Sequence, residues 1–322
     1  MANRGRRRIV AASKRLPADL RSAAELARFF ARAETAVSTR KAYRADFLRF
    51  QAWCAAHRAT TLPATPATVA AFIATEATRC SVSTIRRRLA AIRYVHKLAR
   101  VPTPTDDAQV AAIVRGIRRT IGTAPAKKAA ITNEMLLAMV AARDGSLVDL
   151  RDRALLLVGF AGALRRSELV ALDVEDIAET AQGLSVTIRR SKTDQEGAGA
   201  TIAIVRGAIA CPVAALTAWL AAAGITRGPL FRRVNKAGRV MPTRLTAQSV
   251  ALIIKARARR IGLNPKPFSG HSLRAGFLVS AARRGASVFK MMDVSRHRSV
   301  DTLKGYVRDS EMFTNHAGNG LL

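Results

Sequence analysis

Seven side chains in this sequence have the types and the order that chemistry at a phosphate needs. Four fall in one C-terminal stretch, Ser269 to Tyr306, which reads SGHSLRAGFLVSAARRGASVFKMMDVSRHRSVDTLKGY and contains His271, Arg274, His297 and Tyr306. A tyrosine hydroxyl can attack phosphorus and store the bond energy as a phosphotyrosyl ester. His271 and Arg274 follow a Ser-Gly turn and stand three residues apart, so they open a helix on one face. The start of a helix presents free N–H groups to an anion. An isolated His-x-x-Arg is common, and most tyrosines close the edge of a core. The other two tyrosines, Tyr43 and Tyr94, fall in amphipathic helices where packing accounts for them.

The remaining three lie upstream. In GALRRSELVALDV, from Gly162, Arg165 and Glu168 are three residues apart and are expected to share a helix face. A carboxylate there can orient a guanidinium whose planar fork matches two phosphate oxygens. Alone, such a pair is an ordinary surface ion pair; Arg166 competes with Arg165 but is in poorer register with Glu168. Lys192, in RRSKTDQEG, is expected at the tip of a hairpin. There it can enter a groove and protonate a leaving oxygen, although a single turn lysine is by default solvated. Asp173, Glu175 and Asp176 lack the further converging carboxylates of a two-metal site. His271 and His297 lack a third zinc ligand at useful spacing. No GxxxxGK[ST] loop occurs, so neither metal, nucleotide nor other cofactor is expected.

Elements must bring these distant residues together. The chain has 322 residues, enough for two domains. It is 49% hydrophobic, much of that alanine, and only 5% aromatic, a balance that favours helices. Lys and Arg number 54 against 22 Asp and Glu, a formal charge of +32. That charge implies a polyanionic partner, with nucleic acid the foremost candidate. Cys54, Cys80 and Cys211 are scattered, which argues for a reducing compartment and against a disulfide framework. MANRGRRRIV has no apolar run behind it and does not read as a signal peptide. No apolar run is long enough to cross a membrane, so a cytoplasmic protein is expected.

Residues 1–20 read as a flexible basic arm. Residues 21–121 read as a helical domain with helices near 23–33, 38–57 (capped by Ser38), 65–77, 83–100 and 106–121. Its basic residues Arg40, Lys41, Arg44, Arg86, Arg87 and Arg88 are candidates for phosphate contact. GTAPAKKAA, residues 122–130, reads as a linker. Residues 131–322 read as a second, α+β domain. One hairpin is expected there, with Leu184, Val186 and Ile188 alternating on one strand and Ile202 and Ile204 on the other. The fold class is mainly α with a small antiparallel sheet.

The order Arg165-x-x-Glu168, Lys192, His271-x-x-Arg274, His297 and Tyr306 resembles the tyrosine recombinase (phage integrase) family. The family's pattern is Arg, Lys, His-x-x-Arg, His or Trp, and Tyr. The resemblance covers nearly the whole chain and implies an N-terminal core-binding domain and a catalytic domain that clamp duplex DNA. It implies a site-specific DNA recombinase in which Tyr306 forms a 3′-phosphotyrosyl bond and Arg165 and Arg274 hold the phosphate. Lys192 would be the general acid, Glu168 would position an arginine, and His271 and His297 would assist at the phosphate. It further implies base reading by the helix bearing Gln248, with Arg87 a candidate for guanine. The protein would be a monomer when free and a tetramer on two DNA sites, with Met312 and Phe313 of the tail docking on a neighbour. Two alternatives stay open at this point: a type IB topoisomerase and a non-catalytic DNA-binding regulator. The chain departs from the family's frequent Thr-Gly-Leu-Arg at Gly162-Ala163-Leu164-Arg165. It also departs from Leu-Gly before the third-position histidine, where it has Ser295-Arg296.

Overall fold

A computed structural model describes residues 34–123, 128–141, 144–189 and 199–311. The chain forms two compact units that divide between Ala126 and Lys127. The expected basic arm and the helix over 23–33 lie outside the described residues.

The first unit contains helices α1 (Val37–Ala56), α2 (Pro66–Ala77), α3 (Val82–Leu98) and α4 (Ala108–Ile121), with a 3-10 turn at Pro104–Asp106. Their starts follow from side-chain capping, in which an oxygen accepts an otherwise orphaned N–H. Thr65 accepts from Thr68 N, Ser81 from Thr84 N and Asp107 from Gln109 N. The first helix differs from expectation: it begins at Val37 after Ala36 with no side-chain cap, so Ser38 sits inside the first turn. Phe50, Cys54, Val69, Phe72, Ile73, Ile85, Ile92 and Val110 form the core, with Phe50 and Phe72 edge to face at 5.0 Å. Buried His96 fastens the loop before α2 to α3. Its Nε2 accepts from Ala64 N at 3.0 Å, so Nδ1 carries the proton donated to Ile92 O at 2.9 Å.

The second unit is built around α6 (Leu147–Ala161), preceded by α5 (Asn133–Ala141). Ala154, Leu155, Leu156, Leu157 and Val158 are all buried, so α6 is enclosed rather than amphipathic along this stretch. After it come the one-turn helix α7 (Arg166–Leu169), a 3-10 turn (Val174–Asp176) and strands β1 (Ile177–Glu179), β2 (Gly183–Ile188) and β3 (Ala200–Val205). The strands form an antiparallel sheet in the order β1-β2-β3. Leu184 pairs with Ile204 and Val186 with Ile202, and these four side chains join the core. Helix α8 (Pro212–Ala223), the ribbon β4 (Arg232–Val234) and β5 (Val240–Arg244), and α9 (Ala247–Arg260) follow. The chain then forms α10 (Ser272–Arg283), α11 (Val288–Ser295) and α12 (Val300–Glu311).

The expected hairpin is present, but β1 and the β4–β5 ribbon are additions. The residues of β4 and β5 are half-buried or exposed, so they lack the alternation that marks a strand packed on a core. Helix α9 is tied to α6 by the buried pair of Arg257 and Asp149 at 2.7 Å.

Helix α10, which opens with the His271 to Arg274 segment, lies against the backbone near Ile131. Ile131 N donates to Ser272 O at 3.0 Å. A Cβ placed on Gly276 would stand 1.7 Å from Ile131 O, a backbone atom that cannot rotate aside. Gly276→Ala is therefore expected to destabilise the protein by at least about 2 kcal/mol. The measurement is the midpoint of urea unfolding; an unchanged midpoint would contradict this packing.

Candidate active site

The site forms where the turn after α6, the start of α10, the end of α11 and the middle of α12 converge. Helix α6 stops at Ala161, and the chain turns through Gly162 and Ala163, the latter in the left-handed region at φ 44°. That turn delivers Arg165 to the N-cap position of α7. Arg165 and Glu168 pair as expected, with Arg165 at the N-cap rather than inside the helix. Arg165 N donates to Glu168 Oε2 at 2.9 Å and Arg165 Nη1 to Oε1 at 2.6 Å. The Glu168 carboxylate is almost wholly buried, at 1% side-chain exposure, so the pair is a fixed element of the site.

Arg274 is fully buried. Its Nη1 donates to Ala163 O at 2.8 Å and its Nη2 to His297 Nε2 at 3.1 Å. Its Nε is buried with no acceptor among the described residues. Burial, then the Arg165 charge, lowers its pKa to about 10, so the guanidinium stays charged at neutral pH.

A chain of hydrogen bonds sets the His297 tautomer. Buried Ser295 donates its one proton to Met291 O at 2.6 Å. Its Oγ must then accept from His297 Nδ1, 2.8 Å away. Nε2 is left as the acceptor for Arg274. Burial first, then the Arg274 and Arg165 charges, lowers the His297 pKa to about 4. The ring is neutral at pH 7. In the free chain Nε2 is therefore an acceptor that holds the Arg274 guanidinium.

Tyr306 sits on α12 with its ring against the small core of Leu278, Ala282, Met291 and Leu303. Its Oη is 2.8 Å from His271 Nε2. The tyrosine closes a core edge and also delivers its hydroxyl to a base. His271 occupies the N-cap position of α10. Desolvation, Arg274 and Arg165 hold its pKa below the ordinary histidine value, so neutral imidazole is the prevailing form at pH 7. The structure brings Arg165, Glu168, His271, Arg274, His297 and Tyr306 together. Lys192 lies outside the described residues, as do Met312 and Phe313.

Two contributors went unseen in the sequence. Ser295 fixes His297. Arg296 donates from Nη2 to Glu168 Oε2 at 2.5 Å. The departures from Leu-Gly before His297 were the available signal. The acidic turn is structural: Arg189 Nε meets Asp176 at 2.7 Å, Arg189 Nη1 meets Asp173 at 3.0 Å and Arg244 Nη2 meets Asp173 at 2.8 Å. Among the described residues no cluster of three or more His, Cys, Asp or Glu could hold a metal ion.

The candidate DNA contacts divide. Lys41, Arg44 and Arg86 are exposed, Arg40 is half-buried, and Gln248 is exposed in the first turn of α9. Arg87 is exposed but engaged, with Nε and Nη2 on the two Asp46 oxygens at 2.6 and 3.1 Å. Arg88 is a correction. It is buried beside Glu76, with which it forms an ion pair, and 3.7 Å from Asp46. An unpaired carboxylate cannot be buried cheaply, and Glu76 draws this arginine inward, away from any surface ligand.

Residues 130–312 match the model of the phage integrase family, and residues 26–101 match that of the phage integrase N-terminal SAM-like domain. The chain is 39% identical over 290 residues to an integrase/recombinase XerD homologue of Selenomonas ruminantium, covering 88% of this chain and 85% of the relative. It is 27% identical to the Cre recombinase of Escherichia phage P1, covering 81% of each. Among solved structures, XerH site-specific recombinase bound to a palindromic difH substrate superposes with a TM-score of 0.56 at 15% identity, covering 80% of this chain and 72% of that one. A lambda integrase dimer bound to a core site gives a TM-score of 0.54 at 15% identity, covering 76% and 65%. At these identities the structural likeness is one of fold.

Proposed function

The chain belongs to the phage integrase family and is a tyrosine-type site-specific DNA recombinase; from that premise we propose how its residues divide the work. The observation that carries the reading is the Tyr306 hydroxyl 2.8 Å from His271 Nε2, beside the Arg165 and Arg274 guanidiniums. Tyr306 Oη attacks the scissile phosphorus and its proton passes to His271 Nε2. The phosphorus–O5′ bond breaks as Lys192 protonates the departing oxygen, leaving a 3′-phosphotyrosyl ester and a 5′-hydroxyl. A 5′-hydroxyl from a partner strand then attacks the ester as its proton passes to the now neutral Lys192, and the tyrosyl oxygen leaves with a proton from His271. One phosphodiester is exchanged for another, so the bond energy is conserved and no nucleotide is spent.

Arg165 and Arg274 stabilise the charge on the non-bridging oxygens. Arg274 Nε has no acceptor among the described residues, which leaves one donor of the guanidinium uncommitted. Glu168 orients Arg165, and His297 orients Arg274. Double-stranded DNA is the partner; both units contact it, Lys41, Arg44 and Arg86 through phosphates and Gln248 at base edges. The chain is a monomer when free and assembles as a tetramer on two sites, acting on DNA in the cytoplasm.

The test uses two duplexes of different length, each carrying a site selected from random-sequence DNA by the Tyr306→Phe chain. Recombinant duplexes are the expected products. Relaxation of a supercoiled plasmid carrying the site, with no strand exchange, would favour a type IB topoisomerase instead. The formal charge of +32 makes a separate prediction through counterion release. Affinity for the selected site should fall about 10³-fold or more between 50 and 200 mM salt. Filter binding measures it, and a flat response would contradict a phosphate-dominated interface.

A further inference from the structure

Arg296 combines three features that do not occur together at an ordinary helix end. It caps α11 in the left-handed conformation, at φ 56° and ψ 42°, a region that glycine enters freely and branched or bulky residues avoid. Its side chain is 11% exposed. Its guanidinium is anchored at both ends: Nη1 donates to Val294 O at 3.0 Å and Nη2 to Glu168 Oε2 at 2.5 Å. Glu168 Oε2 is also the acceptor for Arg165 N, while Oε1 takes Arg165 Nη1. One buried carboxylate is thus held between two arginines from opposite halves of the site.

We propose that Arg296 is a positioning residue that locks Glu168, and through it Arg165, in place, joining the α7 half of the site to the α11 segment that carries His297. The proposal rests on the recombinase reading and deepens it. Without Arg296, Oε2 loses its shortest contact and the carboxylate is free to turn toward the remaining arginine. Arg165 would then be drawn toward Glu168 and away from the phosphate. The lost order falls on a group that acts in the transition state, so the rate of cleavage should suffer and DNA affinity should not. This accounts for an arginine at a backbone position suited to glycine: its conformational cost is offset by the connection it makes.

The test is a single-turnover measurement of covalent adduct formation on a nicked duplex carrying the site selected from random-sequence DNA. Arg296→Gly suits the left-handed backbone, so a role confined to ending α11 predicts a variant as fast as wild type and no less heat-stable. The proposal predicts a rate about 10- to 100-fold lower at unchanged half-saturation. The effect should vanish in a Glu168→Gln background, since Arg296 acts through that carboxylate. A full rate for Arg296→Gly overturns the proposal, and so does an equal loss with and without Glu168→Gln. Should the glycine variant fail to fold, Arg296→Asn, also tolerant of the left-handed region, is read in the same cycle against the same outcomes. No adduct from the wild-type chain would overturn the recombinase reading and this proposal with it, whereas a normal wild-type adduct isolates a failure to the role of Arg296.

Discussion

Tyr306→Phe is expected to lower covalent adduct formation by at least about 10³-fold while changing affinity for the same DNA by less than about twofold. The two effects separate because the side chain has two parts with separate surroundings. The ring packs against Leu278, Ala282, Met291 and Leu303, and phenylalanine keeps all of that contact. The hydroxyl meets His271 Nε2 at 2.8 Å, and its loss removes the nucleophile and one hydrogen bond. Such a bond contributes about 1 kcal/mol to stability, so the variant should fold and bind. His271 is held below the ordinary histidine pKa and so is neutral and able to take the tyrosyl proton at pH 7. Denaturing electrophoresis after incubation with a nicked site duplex gives the answer. An adduct from the phenylalanine variant at the wild-type rate would assign the nucleophile elsewhere.

What the sequence made legible was order and spacing. Arg165, Glu168, His271, Arg274, His297 and Tyr306 follow one another in a pattern too long to arise readily by chance, and the structure gathers them around one point. Caps marked the helix ends only in part: Thr65 before Pro66 opens α2, whereas Ser38 does not cap α1 and the caps at Ser81 and Asp107 do not fall at the expected starts of α3 and α4. What stayed hidden depends on three-dimensional neighbours. Arg88 and Arg86 look alike in a basic run, yet the buried Glu76 carboxylate pulls one inward and leaves the other exposed. The role of His297 depended on a serine two residues earlier that donates to Met291 O, which no spacing rule reports. The β4–β5 ribbon carries no apolar alternation because it borders solvent. Ala163 and Arg296 take positive φ where the family favours glycine, and both flank the site: one supplies the carbonyl that holds Arg274, the other the guanidinium that holds Glu168.

Arg274→Lys should separate charge from geometry more sharply than any alanine substitution. Alanine would leave a cavity and strip Ala163 O and His297 Nε2 of their donor at once. Lysine keeps a cation in place at the start, but an ammonium group lacks the planar fork that serves Ala163 O at 2.8 Å and His297 Nε2 at 3.1 Å together with donors left for a phosphate. A drop in cleavage of about 10²- to 10³-fold is expected. The second consequence is a new pH dependence. Burial and Arg165 lower the arginine to about 10, which leaves it charged throughout the working range. A lysine starts near 10.4, and the same burial and neighbouring charge push it in the same direction, toward the working range. The sign follows from which form is active: the ammonium is the phosphate-binding form and is lost as pH rises through the lowered pKa. Residual cleavage by the lysine variant, relative to wild type, should therefore fall as pH rises from about 6 to 9, a window in which Arg274 itself stays charged. Single-turnover rates from pH 6 to 9, divided by the wild-type rate at each pH, isolate the effect. A ratio that stays level across that range would show that the pocket does not desolvate the cation, and that arginine is needed there for its shape alone.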